Sequence, residues 1–288
     1  PKQARGFRFS LFFHRFGLTM AQGVQTNSSP LEGCRYIALG DMEVHLLDRG
    51  WGPNLLCLHG MGTSHFSWRF NMPFFEMNFR IIAPDLPGYG FPKAAHDFGF
   101  HIDDYVHLLL DLLGALEVST THIIAHSFGA AIAERLIRLQ PQRVERVVLV
   151  GAADLEQPTL DHDLQKSKNP LLYSYYNKSV IDLPLIQLSK IFNQDDRTME
   201  TTRSVSRVNR DGIRRNGALP IIHPVLMVWG REDQIIPLQR SERLIPHWQN
   251  VKFEVMNMTG HACHEENPAF FNRLVGDFLN GGDHLPGL

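Results

Sequence analysis

Short apolar runs recur along the chain from residue 34 onward, and each is bounded by turn-forming residues. Continuous apolar runs of this length are typical of strands that are buried on both faces of a parallel sheet. The first two runs flank Gly40-Asp41-Met42 and predict an antiparallel hairpin. The predicted strands are Arg35–Leu39, Glu43–Leu47, Asn54–His59, Arg80–Pro84, His122–Ala125, Val144–Val150, Val225–Trp229 and Val251–Val255.

Apolar residues at helical spacing fill the intervals between these strands, most clearly over Ile102–Leu116, Ala130–Leu139 and Pro268–Leu279. Strands that alternate with helices predict an α/β fold with a mostly parallel, doubly wound sheet. We assign this core to residues 31–153 and 220–288. A chain of 288 residues is long enough to bury it as one domain.

The interval between Ala153 and Ile222 is too long for an ordinary connection, and it shows helical patterns without a buried strand. Its many leucine, isoleucine and tyrosine side chains need a surface to cover. We therefore interpret residues 154–219 as a helical cap that closes over the C-terminal edge of the sheet, where such folds bind their ligands. An apolar cap favours a substrate with an apolar acyl or aryl part.

Residues 1–30 form a basic arm without an acidic residue. Four of its phenylalanines share one face of a predicted helix: Phe9, Phe12, Phe13 and Phe16. Such a segment is compatible with packing on the protein's own surface, with a targeting peptide, or with peripheral membrane contact through residues 5–16.

Composition narrows the class of protein. A formal net charge of −2 provides no field that would attract nucleic acid over the whole surface. The three cysteines, Cys34, Cys57 and Cys263, are an odd number without close spacing, which favours free thiols in a reducing compartment. No apolar run approaches the roughly 18 residues that span a bilayer. We expect a soluble cytoplasmic protein.

Ser127 follows a predicted buried strand and precedes small residues that would let a helix approach the sheet closely. This setting is typical of a nucleophile on a strained strand-to-helix turn, whose best-known pattern is G-x-S-x-G. Ala125 replaces the first glycine of that pattern. A serine that only caps the helix is the competing interpretation.

A second strand ends in His59-Gly60-Met61-Gly62. The backbone N–H of Met61, together with that of Phe128, could form an oxyanion hole that stabilises the charge on an attacked carbonyl.

A nucleophilic serine needs a base, and His261 lies on a loop between the last strand and the last helix. His264 is expected to pack on the first turn of that helix, and His59 and His126 are expected to be structural. His261, Cys263, His264 and Glu265 could also form a metal cluster, but no further ligands occur at a recognisable spacing, and we predict no metal.

A carboxylate must orient the imidazole of His261. Asp233 follows Gly230 at the end of a strand and is the preferred candidate, and Asp154, after the preceding strand, is the alternative. Glu232 is expected to be solvated. The chain order Ser127, Asp233, His261 is the order of an α/β-hydrolase triad.

Residues 31–280 resemble the α/β-hydrolase superfamily. The resemblance depends on five segments: His59–Gly62, DLPGYG at 85–90, AHSFGA at 125–130, WGREDQIIP at 229–237 and GHACHEENP at 260–268. It implies Ser127 as nucleophile, His261 as base, Asp233 as acid, and the amides of Met61 and Phe128 as oxyanion donors. Haloalkane dehalogenases and epoxide hydrolases use an aspartate where this chain has Ser127. Carbon–carbon bond hydrolases usually have a tryptophan where this chain has Ala262.

We therefore predict a serine hydrolase, lipase-like in its triad, that cleaves small-molecule carboxylic esters through an acyl-enzyme and needs no cofactor. The alternatives are a thioester, lactone or carbon–carbon bond hydrolase, a membrane-associated lipid hydrolase, and a small-molecule receptor that retains the triad.

Overall fold

The computed structural model describes residues 33–90, 98–155, 170–187, 196–209 and 220–282. The basic arm at 1–30 lies outside the described residues, so its predicted helix and membrane contact remain predictions. In the part of the chain that is described, no helix is both long enough and apolar enough to cross a membrane.

Eight strands form one sheet in the order β1-β2-β4-β3-β5-β6-β7-β8. Strands β1 and β2 form the predicted antiparallel hairpin, β2 pairs antiparallel with β4, and every other pairing is parallel. Each predicted strand is present, within four residues of its predicted ends. The strands are β1 Cys34–Leu39, β2 Met42–Arg49, β3 Asn54–Leu58, β4 Arg80–Pro84, β5 Thr121–His126, β6 Val144–Val150, β7 Ile221–Gly230 and β8 Trp248–Met256.

Helices connect the strands and cover the sheet. The α-helices are α1 Met72–Phe75, α2 Ile102–Ala115, α3 Phe128–Leu139, α4 Pro170–Ser174, α5 Asp196–Val208, α6 Ser241–Leu244, α7 Cys263–Glu266 and α8 Pro268–Leu279, and residues 183–187 are also helical. Short 3-10 helices span His65–Trp68, Pro141–Arg143, Lys178–Val180, Leu238–Arg240 and Ile245–His247. Helix α3 begins at Phe128, two residues before the predicted start, because the turn at Ser127 leads directly into it.

Alternate residues of the central strands enter two separate cores. On strand β5, Ile123 packs in the core that includes α2 and α3, and Ile124 packs in the core that includes α1 and α8. This division explains why the strands are apolar throughout instead of alternating, since helices cover both faces of the sheet.

Helices α4 and α5 lie within the predicted cap at 154–219. Residues 156–169, 188–195 and 210–219 lie outside the described residues, so the boundaries of the cap remain a prediction. The sequence predicted that the apolar side chains of the cap would be covered. Leu185 is buried, whereas Leu172, Tyr173, Tyr176 and Leu183 are exposed.

Candidate active site

Ser127 occupies a strained turn between β5 and α3. Its backbone has φ 54° and ψ −121°, a conformation that costs a residue other than glycine of order 1–3 kcal/mol. Two hydrogen bonds hold the turn against the end of β6: the Ser127 N–H donates to the Val150 carbonyl (3.0 Å), and the Ala153 N–H donates to the Ser127 carbonyl (3.1 Å). The Ser127 side chain makes no capping hydrogen bond to α3, so the competing interpretation as a helix cap is wrong.

Ala125 does not prevent this turn. Its side chain is fully buried in the core that includes α3, two residues before the strained position. Gly129 must be a glycine because α3 begins close to the end of β3. A Cβ at this position would lie 2.8 Å from the carbonyl oxygens of both Leu58 and His59. Of the two glycine positions in G-x-S-x-G, the fold therefore depends more on the second, Gly129, than on the first, which Ala125 occupies.

The loop after β3 lies against Ser127. A Cβ at Gly60 would lie 3.0 Å from Ser127 Cβ and 3.2 Å from His126 Nδ1, so a glycine at this position permits the close approach. Met61 comes next and is half-buried against the core. The Phe128 N–H belongs to the first turn of α3, where backbone N–H groups have no partner within the helix.

Asp233 and His261 form a buried pair at the ends of β7 and β8. His261 Nδ1 lies 2.8 Å from Asp233 Oδ2, and the Asp233 side chain is fully buried. The other carboxylate oxygen, Oδ1, accepts hydrogen bonds from the N–H groups of Ile235 and Ile236, both at 2.8 Å. These contacts fix the carboxylate, which in turn fixes the imidazole with Nδ1 as donor and leaves Nε2 as the basic nitrogen.

The rival carboxylates have other positions. Asp154 is buried beyond the end of β6, and the carboxylate that contacts His261 Nδ1 is that of Asp233. Glu232 was expected to be solvated, and this expectation is wrong. It is half-buried, and its Oε2 accepts a hydrogen bond from the Thr259 N–H at 3.0 Å, which braces the loop that leads to His261.

Two further histidines pack next to His261. The ring of His126 lies 4.6 Å from that of His261 and 4.7 Å from that of His264, and His126 Nε2 donates to the His261 carbonyl at 3.1 Å. Burial and then the neighbouring imidazoles hold the pKa of His126 well below its ordinary value. A neutral His126 does not repel a positive charge on His261.

His264 is buried against the ring of Trp68 (4.5 Å), on the separate short helix α7 instead of the predicted first turn of α8. Burial, His261 and Arg69 lower its pKa to about 3. The sequence also offered His261, Cys263, His264 and Glu265 as a metal cluster. In the structure Glu265 instead forms an ion pair with Arg69. His59 is structural as predicted: its Nε2 accepts the Leu86 N–H at 2.8 Å.

Segment 170–187 covers the loop that contains His261. The Ala262 N–H donates to the Ser174 carbonyl at 3.0 Å, and the Ala262 side chain packs with Tyr175 and Leu185. A Cβ at Gly260 would lie 2.8 Å from the Tyr176 backbone nitrogen. Segment 170–187 therefore lies at the C-terminal edge of the sheet, where Ser127, Asp233 and His261 also lie.

Helix α5 contacts a second loop at this edge. A Cβ at Gly88, where φ is +82°, would lie 2.2 Å from Thr201 Cγ2, so the turn in DLPGYG needs glycine both for its backbone angle and for space. Asn209, directly after α5, joins this helix to the start of α2, because its Oδ1 accepts the Ile102 N–H at 3.1 Å.

Comparison with known proteins agrees with this architecture. The sequence pattern of the Alpha/beta hydrolase family matches residues 55–274. The chain therefore belongs to the alpha/beta hydrolase family and is a hydrolase.

Particular relatives extend over nearly the whole chain. The sequence is 32% identical over 274 residues to the 2-hydroxymuconate semialdehyde hydrolase of Pseudomonas sp. (strain CF600). This alignment covers 89% of this chain and 96% of that protein. It is 28% identical to the 2-hydroxy-6-oxo-2,4-heptadienoate hydrolase of Pseudomonas putida (strain F1), over 86% of this chain and 97% of that protein. The crystal structure of the meta-cleavage product hydrolase CumD of Pseudomonas fluorescens IP01 superposes with a TM-score of 0.79 at 25% identity, covering 88% of this chain and 100% of that one.

Proposed function

We propose that this hydrolase cleaves the carbon–carbon bond beside the 6-oxo group of a 2-hydroxy-6-oxo-dienoic acid. The observation that carries the proposal is the Asp233–His261 pair at 2.8 Å, set at the same sheet edge as Ser127 on its strained turn. The substrate class comes from the relatives, whose names describe hydrolysis of molecules with an oxo group or an aldehyde and no ester. The expected carboxylic esters thereby become the second candidate.

The proposed chemistry begins at the ketone carbon. Ser127 Oγ attacks it while His261 Nε2 takes the hydroxyl proton, and Asp233 stabilises the resulting imidazolium. Cleavage requires the 2-oxo tautomer of the substrate, in which the proton of the 2-hydroxyl group has moved to the carbon beside the 6-oxo group and made that carbon saturated. The tetrahedral adduct of this tautomer collapses with cleavage of the carbon–carbon bond, and the electron pair of that bond is delocalised into the 2-oxo-3-enoate as a dienolate. His261 returns its proton to the leaving carbon. Water, activated by His261, then releases the acyl group from Ser127.

Negative charge on the attacked oxygen needs hydrogen-bond donors. We assign this role to the backbone N–H groups of Met61 and Phe128, one from the loop that Gly60 brings against Ser127 and one from the first turn of α3. Loss of one such donor in other hydrolases costs roughly 10²–10³ in kcat.

Carboxylic ester hydrolysis is the second candidate, and Ala262 favours it. Carbon–carbon bond hydrolases usually have a tryptophan at this position, whereas Ala262 is buried beneath Tyr175 and Leu185 of segment 170–187. The same triad would attack an ester carbonyl, and an alkoxide leaves more easily than a carbon fragment.

Steady-state kinetics on two substrates test the proposal. The purified chain is supplied in parallel with a 2-hydroxy-6-oxo-dienoate, whose conjugated absorbance disappears on cleavage, and with a p-nitrophenyl ester. We expect a higher kcat/KM for the dienoate. Ser127→Ala is expected to lower kcat on both substrates by roughly 10⁴ or more.

Ser119→Ala is the matched control, because Ser119 is exposed at the opposite end of β5. It is expected to retain wild-type kinetics. A higher kcat/KM for the ester would make the esterase the correct assignment, and full activity of Ser127→Ala would overturn the mechanism for both substrates.

A further inference from the structure

A carboxylate outside the catalytic pair connects the His261 loop to segment 170–187, which covers it. Glu266 is the last residue of α7 and is half-buried. Its Oε1 accepts a hydrogen bond from the Gly260 N–H at 2.6 Å, and its Oε2 accepts one from the Asn177 N–H at 2.7 Å. One side chain therefore joins the residue that precedes His261 to the segment above it.

The turn of α7 brings this carboxylate back over the loop. The Glu266 N–H donates to the Ala262 carbonyl at 3.1 Å, so the helix reverses the chain and sets the side chain of Glu266 beside Gly260, six residues earlier. Both carboxylate oxygens act as acceptors, which is the hydrogen bonding of an ionised carboxylate. Hydrogen bonds from N–H groups to such an acceptor are roughly twice as strong as those between neutral groups.

A second glutamate holds the amide one residue earlier. Glu232, next to Asp233, accepts the Thr259 N–H, whereas Glu266 accepts the Gly260 N–H. The two successive amides before His261 are thus held from two directions, one from the end of β7 and one from α7. The position of the imidazole depends on both attachments, since the backbone that carries it follows these two amides directly.

Segment 170–187 makes contact on both sides of His261. Before it, a Cβ at Gly260 would lie 3.0 Å from the Ser174 carbonyl oxygen. After it, the Ala262 N–H donates to the same carbonyl at 3.0 Å. The hydrogen bond from the Asn177 N–H to Glu266 extends this contact to the far end of the loop. A displacement of the segment would therefore move the backbone that carries the base.

We propose that Glu266 is a positioning residue for the reaction. It holds the peptide before His261 so that the imidazole stays aligned between Asp233 and Ser127, and it makes this alignment depend on the seating of segment 170–187. The inference rests on the proposed role of His261 as base, which the carbon–carbon and ester candidates share. Glu266 acts through His261 and takes no part in proton transfer.

Steady-state kinetics on the dienoate and on the p-nitrophenyl ester test this role. Glu266→Ala is expected to lower kcat by roughly 10²-fold, the effect of a displacement of about 1 Å in an active site. Glu266→Gln is expected to lower kcat by roughly tenfold, because its amide has one oxygen for two N–H donors. KM should change by less than about threefold in both variants, since the loss lies in the alignment of the base.

Glu242→Gln is the matched control, because Glu242 is exposed on α6, and it should retain wild-type kcat. Wild-type kcat in Glu266→Ala, or a loss confined to KM, would overturn the positioning role and leave the proposed function intact. A wild-type preference for the ester would instead overturn the proposed function. A lowered kcat of Glu266→Ala on that ester would then still support the positioning role.

Substitution of Asn177 tests the same connection from the other side, without a change in α7. Its φ of −84° lies near the value that proline adopts. Asn177→Pro and Asn177→Ala both remove the side chain, but only proline removes the N–H that Glu266 accepts. We expect kcat of the proline variant to be roughly tenfold below that of the alanine variant.

The double variant Glu266→Ala with Asn177→Pro completes the experiment. It should have the kcat of Glu266→Ala alone, because two changes that remove one hydrogen bond are not additive. Equal kcat for Asn177→Pro and Asn177→Ala, or losses that multiply in the double variant, would overturn the coupling between segment 170–187 and His261.

Discussion

Two buried carboxylates hold imidazoles in this protein, and their surroundings differ in a way that separates catalysis from structure. Asp233 contacts one imidazole and two backbone N–H groups, at the edge of the sheet where Ser127 stands on its turn. Asp85 contacts two imidazoles and one backbone N–H, and the half-buried thiol of Cys34 lies 3.7 Å from the Nε2 atom of one of these imidazoles, that of His65.

The comparison shows that a histidine–aspartate pair does not by itself indicate a catalytic site. The three distances between carboxylate and imidazole are nearly the same, 2.8 Å at Asp233 and 2.8 and 2.9 Å at Asp85. The difference lies in the surroundings of each pair. Asp233 and His261 lie at the sheet edge where Ser127 stands on its strained turn, whereas Asp85 holds two imidazoles away from that turn, with the thiol of Cys34 3.7 Å from His65 Nε2.

Replacing each aspartate in turn should produce opposite results. Asp233→Asn is expected to lower kcat by roughly 10⁴, because the amide favours the wrong tautomer of His261. Asp85→Asn is expected to lower the free energy of unfolding by about 3 kcal/mol or more, because it leaves buried imidazoles without their counter-charge. Its folded fraction should keep kcat within about tenfold of the wild type.

Urea denaturation and steady-state kinetics on the same preparations measure both quantities. A large loss of kcat in folded Asp85→Asn, or normal turnover by Asp233→Asn, would contradict the division of roles.

Gly60→Ala tests the approach of the Met61 loop to Ser127. The added methyl group would lie 3.0 Å from Ser127 Cβ, so the loop or the serine must shift. We expect kcat to fall by roughly 10²-fold, the effect of a displacement of about 1 Å in an active site. Gly114→Ala is the control, because nothing lies within 4 Å of a Cβ at that position on α2. If both variants lose activity equally, the close contact at Gly60 has no special role.

The pH dependence of stability should report the buried imidazole of His264. Its pKa falls from 6.5 to about 3 on folding, through burial, His261 and Arg69. The unfolded chain therefore binds more protons below pH 6.5, and the stability present above that pH is lost as the pH falls towards 3. One such group contributes a slope of about 1.4 kcal/mol per pH unit.

His264→Phe is expected to flatten this slope between pH 6 and pH 4, since phenylalanine does not titrate and can pack against Trp68. Urea denaturation across this pH range measures the free energy of unfolding of both proteins. Identical slopes for both would show that His264 is not neutral in the folded chain.

The sequence predicted most of the fold because the signals were local. All strands and the helices α2, α3 and α8 follow from apolar runs and helical spacing. Ser127, Asp233 and His261 could be proposed together because each follows a strand, and parallel strands bring their C-terminal ends to one edge. The bond that is cleaved could not be chosen from these local signals, because substrate choice depends on how segments distant in the sequence come together over the site.

The cluster around Asp85 was missed for a related reason. Cys34 and His45 lie on paired edge strands, and His65 lies on a 3-10 helix far from a strand end. Only the pairing of β2 with β4 brings His45 next to Asp85. The register of the β1–β2 hairpin was the single signal that could have placed Cys34 near His45. Alternate residues of β1 lie on one face of the hairpin, so Cys34 shares its face with Tyr36, which pairs with His45.

Covalent trapping is the most direct test of the central claim that Ser127 is an activated nucleophile. The full chain is treated with a fluorophosphonate probe, and the modified peptide is mapped by mass spectrometry in the wild type, in Ser127→Ala and in the control Ser119→Ala. The account predicts one adduct per chain, located on Ser127, in the wild type and in Ser119→Ala, and none in Ser127→Ala. No adduct on wild-type Ser127, with the probe active on a reference hydrolase, would contradict it.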